Sequence, residues 1–145
     1  RLDELQAAIL SIKLKYLEKW NGQRRKNALR YNQLLSGIGD IVTPEEKDEK
    51  DGTRHVYHLY VIRTQFRDTL FKYLKSNGIS AGIHYPMPIN LQPAYLDLGY
   101  KKGSFKLAEE YANTILSLPM FPELSWKEID YIANKIKKFY KHAKK

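Results

Sequence analysis

The chain has 145 residues, 43% hydrophobic and 28% charged, with a net charge of +9. That length makes one ordinary domain, and eleven tyrosines, five phenylalanines and two tryptophans carry enough apolar surface to exclude a disordered protein. No apolar run of about 18 residues exists to span a membrane, and the absence of cysteine excludes a disulfide scaffold, a thiolate metal site and a cysteine nucleophile.

The chain opens at Arg1, already inside a helical pattern, and reads as a piece of a longer protein. Leu2, Leu5, Ile9, Ile12, Tyr16 and Trp20 recur at steps of three and four, the spacing of one apolar helix stripe. The stripe resumes at Ala28, Tyr31 and Leu35, and Gly37 and Gly39 stop it. Gly22 costs about 1 kcal/mol relative to alanine and is a place where this long helix can bend or break, but the apolar pattern is strong enough to continue through it. The stretch at Leu2, Leu5, Ile9 and Ile12 has no partner within a domain this small, and should be exposed, frayed or covered by a self-contact.

Ile41 to Thr43 is a short β-branched run closed by Pro44, and 45–53 reads as a charged loop. His55 to Arg63 alternates with apolar residues on both faces, as a covered strand does. Arg67 to Ser76 has helical spacing and ends at Asn77-Gly78. Ile79 to His84 is extended, and Tyr85-Pro86-Met87-Pro88 forbids regular helix. Leu91 to Leu98 reads as a short helical turn. A helix capped at Ser104 or its neighbour runs through Ala108, Tyr111 and Ala112, and Ile115 to Leu118 is an apolar run ended by Pro119. Ser125 with Glu128 is a capping-box spacing, and opens a last helix with Ile129, Ile132, Ala133, Ile136 and Phe139 or Tyr140 inward. The order predicts an α/β sandwich, with a small sheet of three or four mostly antiparallel strands packed against helices. Residues 1–36 form the long helix, and 40–145 the small α/β domain.

The positive charge is local. Lys13 to Arg30 holds seven basic residues against Glu18, and Tyr131 to Lys145 holds six lysines and no acid. Such helices can bind nucleic acid, although lysine-rich solvated faces look the same and lysine lacks the fork of base readout. Of the histidines, His55 and His58 fall on opposite faces of the expected strand and cannot clasp one metal, while His142 lies in the basic tail. The pairs Glu45-Glu46 and Glu109-Glu110 lack an acid–base partner. The segment from Gly82 to Tyr95 puts an imidazole, phenols and amides into a proline-stiffened stretch past a strand end. Binding groups concentrate in such places, and a structural connector with buried aromatics remains equally open.

Four strings in order carry a resemblance: 1–8 (RLDELQAA), 58–63 (HLYVIR), 82–86 (GIHYP) with 91–95 (LQPAY), and 116–122 (LSLPMFP). Together they resemble the DegT/DnrJ/StrS sugar aminotransferases over essentially the whole chain. The resemblance implies the small C-terminal domain of a type I pyridoxal-phosphate enzyme, entered through the long interdomain helix. It implies amino transfer, usually from glutamate, onto a keto sugar carried by a nucleotide, at a site formed in a homodimer. The Schiff-base lysine would then lie upstream, so that these residues alone would be inactive and hold no pyridoxal phosphate. His84 and Tyr85 match the family's His-Tyr before its proline-rich loop, on the sugar side of the site. Asn90 stands where the family commonly has a second histidine, so it can contact a sugar hydroxyl but cannot titrate near neutral pH. Gln92 is a weaker contact of the same type, and Arg1 would help to order a partner subunit's cofactor region. A cytoplasmic enzyme without membrane contact follows from the same resemblance. The alternative is a regulatory module using its basic helices on nucleic acid.

Overall fold

The chain enters α1 (Glu4–Leu14) through Asp3. The Asp3 carboxylate caps the helix, accepting from the Leu5 and Gln6 N–H groups at 3.0 and 3.3 Å. The computed structural model describes residues 2–46 and 53–143, so most of the expected charged loop at 45–53 lies outside the described residues. Within α1 no residue is buried, and Leu2, Leu5, Ile9 and Ile12 are 50–71% exposed, so the expected stripe lies open.

The long helix turns at Lys15–Tyr16, not at Gly22. There the Lys15 and Tyr16 N–H groups bond three residues back, to Ile12 and Lys13, which tightens the last turn of α1. α2 (Leu17–Leu35) then continues through Gly22, as the apolar pattern predicts, because one glycine costs less than interrupting a helix propagated from both sides. Ala28, Tyr31 and Leu35 are fully buried, as their spacing predicts.

β1 (Tyr60–Arg63) pairs antiparallel with β2 (Ile115–Leu118), with Tyr60 opposite Leu118 and Ile62 opposite Leu116. Single antiparallel bridges extend the pair on both sides, Val42 to Arg63 and Gly82 to Ser117. Four extended segments therefore lie side by side, two of them as full strands. The predicted strand from His55 is shorter than its alternation suggests. Tyr57 takes φ +49°, and its N–H donates to His55 Nδ1 at 2.9 Å. This local turn takes the chain out of the ladder until Tyr60, so His55 and His58 do not lie on a strand.

α3 (Arg67–Ser76) and α5 (Trp126–Ala143) flank the sheet together with α2. The core joins Tyr31, Leu35, Tyr60, Ile62, Leu70, Leu74, Leu116, Ile129 and Ile136. Tyr31 and Tyr60 stack at 4.7 Å. Their hydroxyls donate to Pro119 O at 3.0 Å and Asn32 Oδ1 at 2.6 Å, and burial pushes both phenols well above their ordinary range. The capping box forms as its spacing predicts: the Ser125 N–H donates to Glu128 at 2.8 Å and the Glu128 N–H to Ser125 Oγ at 3.3 Å. Arg30 grips Asp130 with bonds of 2.8–3.1 Å and ties α2 to α5. Among the described residues no helix is long and apolar enough to cross a membrane.

Candidate functional site

The segment after Gly82 leaves the sheet and passes through two 3-10 turns, Ile89–Leu91 and Pro93–Leu98. It returns against α4 (Lys106–Thr114), which feeds directly into β2. Proline at 86, 88 and 93 keeps this stretch out of regular helix. Between the segment and α4 is an open pocket of about 450 Å³, lined by Tyr85, Asn90, Gln92, Tyr95, Tyr100, Phe105 and Tyr111 among others. Its walls are aromatic and aliphatic, and its polar groups are phenols and amides.

Three of the predicted residues, Tyr85, Asn90 and Gln92, share this pocket. Tyr85 is 72% exposed at its mouth, Gln92 is half-buried, and Asn90 is buried. His84 is absent from the lining. It sits beside the Gly82–Ser117 bridge, with Nδ1 2.9 Å from Ser117 Oγ, and its ring meets Tyr85 edge to face at 5.6 Å. Arg1 lies outside the described residues.

Glu109 organises the pocket, a part its sequence context does not announce. Its carboxylate accepts the Gly103 N–H at 2.9 and 2.8 Å, the Phe105 N–H at 3.3 Å and the Asn90 amide at 3.1 Å. Gly103 and the other donors hold its carboxyl below the usual carboxylate range. Phe105, the residue that precedes α4, has no side-chain cap to offer. The available signal was an acid in the first turn of a helix whose entry residue cannot cap. A carboxylate only accepts, so the Asn90 NH₂ group faces Glu109. Tyr111 is braced from behind by Arg63, whose guanidinium lies 4.6 Å from its ring centre.

Several basic residues are committed to the fold. Arg30 is paired with Asp130, and Arg67 donates to Ala112 O at 2.9 Å from a buried position. Among the described residues no three histidine, aspartate or glutamate side chains converge as a metal site.

A family model for the DegT/DnrJ/EryC1/StrS aminotransferases matches residues 1–137. The chain belongs to this family. It is 49% identical over 144 residues to a "Pleiotropic regulatory protein" of Geobacillus stearothermophilus, covering 98% of this chain and 38% of that protein. It is 42% identical over 124 residues to the dTDP-3-amino-3,4,6-trideoxy-alpha-D-glucose transaminase of Streptomyces venezuelae, covering 86% of this chain and 32% of that protein. Among solved structures it is similar to S. venezuelae DesV in complex with a ketimine intermediate, with a TM-score of 0.91 and 37% identity over 97% of this chain and 37% of that one. The chain thus spans about a third of the length of these relatives. The fold is that of the C-terminal domain of type I pyridoxal-phosphate enzymes, a mixed helical layer on a small antiparallel sheet.

Proposed function

We propose that the polypeptide containing these residues is a pyridoxal-phosphate-dependent aminotransferase that moves an amino group from glutamate onto a nucleotide-linked keto sugar. In this reading it works as a homodimer in the cytoplasm, and the pocket beside α4 is a wall of its sugar site. The observation that carries the reading is the likeness, at 37% identity over 97% of the chain, to DesV captured with a ketimine intermediate. Relatives named for dTDP-sugar and UDP-sugar amination support the substrate class.

Pyridoxal phosphate itself does not fit the pocket, whose lining includes no lysine or arginine to meet a phosphate or form an imine. Its site in this reading belongs to another part of the enzyme, and the 145 residues alone are inactive. What the pocket offers is suited to a sugar. Tyrosine and phenylalanine faces cover its C–H surfaces and exclude water, while the Tyr85 phenol and the Asn90 and Gln92 amides meet its hydroxyls. Glu109 fixes Asn90 before any ligand arrives, which lowers the ordering cost of binding.

The test is to supply the parent polypeptide with pyridoxal phosphate, glutamate and dTDP- or UDP-linked keto sugars. Yellow imine absorbance and 2-oxoglutarate release that depends on a keto sugar support the reading. Absence of both overturns it. A second reading, nucleic-acid binding through the basic helices, draws on the name of the Geobacillus relative. Binding of duplex DNA at physiological salt that weakens steeply as salt rises would favour it, and no binding would remove it.

A further inference from the structure

His84 is held from two directions. Nδ1 lies 2.9 Å from Ser117 Oγ. Beneath the ring is Gly82, where a Cβ would come within 2.7 Å of His84 Cε1. Gly82 and Ser117 are bound to each other through paired backbone hydrogen bonds of 2.9 and 2.8 Å, so the hydroxyl and the bare glycine backbone move as one seat. Ser117 is only 5% exposed, and among the described residues its hydroxyl has no other hydrogen-bond partner than His84.

That isolation decides the direction of the bond. A serine hydroxyl carries one hydrogen, and buried it needs an acceptor. A bare Nδ1 supplies one. If Nδ1–H donated to Oγ instead, the hydroxyl hydrogen would be stranded in the interior. The imidazole itself is exposed, and its Nε2 makes no hydrogen bond among the described residues.

We propose that Ser117 is a positioning residue that, with Gly82 as the floor, holds His84 as the Nε2–H tautomer and, from beside Tyr85 at the edge of the pocket, presents an N–H donor to an acceptor oxygen of the sugar. The tautomer rests on this geometry alone, and the ligand that Nε2 meets rests on the function proposed above. His84 then orients the sugar, and does not act as a base from Nε2.

The tautomer is read by long-range ¹⁵N–¹H correlation spectra of the 145-residue chain, above the pH range in which histidine titrates. His84 should show a bare Nδ1 and a protonated Nε2, close to a single form. Ser117→Ala should relax it toward the mixture of a free imidazole, and Ser117→Thr should restore the single form. Gly82→Ala should also relax it, because the new methyl group displaces the ring while leaving the serine in place. A protonated Nδ1 in the native chain, or spectra unmoved by both alanine variants, overturns the inference. In the parent enzyme, Ser117→Ala should raise KM for the nucleotide sugar about fivefold, the size of one neutral hydrogen bond, with kcat little changed. If the tautomer responds and KM does not, the seat stands and the contact of Nε2 with sugar is overturned.

Discussion

Gly37 and Gly39 allow strain and collision to be separated in one short turn. Both are left-handed, at φ +70° and +57°. A methyl group added at Gly37 meets nothing within 4 Å, whereas at Gly39 it would lie 2.1 Å from Tyr140 Cδ1 and 2.3 Å from Cε1. Carbon atoms prefer to sit about 3.5–4 Å apart, so the ring would have to retreat by about 1.5 Å. Tyr140 cannot do this freely, because its hydroxyl donates to Asp40 Oδ1 at 2.5 Å and lies against Thr64 Oγ1, which donates to the same oxygen at 2.8 Å. Gly37→Ala should therefore cost about 1 kcal/mol, the left-handed penalty less the entropy removed from the unfolded chain. Gly39→Ala adds about 1–3 kcal/mol of overpacking and about 1.5–3 kcal/mol for a disrupted hydrogen bond to a charged group, giving about 3.5–7 kcal/mol in all. Urea unfolding of both variants measures the gap, which at an m-value of about 2 kcal/mol/M separates the midpoints by about 1.3–3 M. In a Tyr140→Ala background the Gly39→Ala cost should fall to that of Gly37→Ala. Equal losses for the two single variants would refute the reasoning.

Asp40 should also shape the acid limb of stability. Burial pushes its carboxyl up, but donation from Tyr140, the Gln65 N–H and Thr64 outweighs this and leaves it below its ordinary value. A depressed folded value means that the stabilisation is fully present above the unfolded value and is lost as pH falls through the folded one. Urea midpoints of Asp40→Asn measured from about pH 6 downward should therefore decline less with acid than those of the native chain, and parallel curves would contradict this. The Arg30–Asp130 pair, with side chains 30% and 40% exposed, should show a double-mutant coupling of about 0.5–1 kcal/mol that shrinks in high salt; a large coupling insensitive to salt would count against it. Glu109→Gln should accelerate hydrogen exchange at the Gly103 and Phe105 amides without disturbing those of α5, and unchanged exchange would remove Glu109 from its clamping role.

Much of the architecture is written in local pattern. The buried stripe Ala28, Tyr31 and Leu35, the Asn77-Gly78 stop, the Ser125–Glu128 box and the strand before Pro119 each follow from spacing within a few residues. So does the irregular course of the segment after Gly82, because proline acts on its immediate neighbours. Three of its polar residues, Tyr85, Asn90 and Gln92, reach one pocket. The turn at Lys15–Tyr16 and the late start of β1 at Tyr60 were hidden, since apolar periodicity continues through both while the backbone does not. Only the tertiary structure decided that Glu109 serves Asn90, 19 residues away, and that Ser117 serves His84, 33 residues away. Periodicity records which face of an element is buried. Which hydroxyl or carboxylate meets which nitrogen depends on strand register and on how α4 docks, and these are settled by packing across the whole domain.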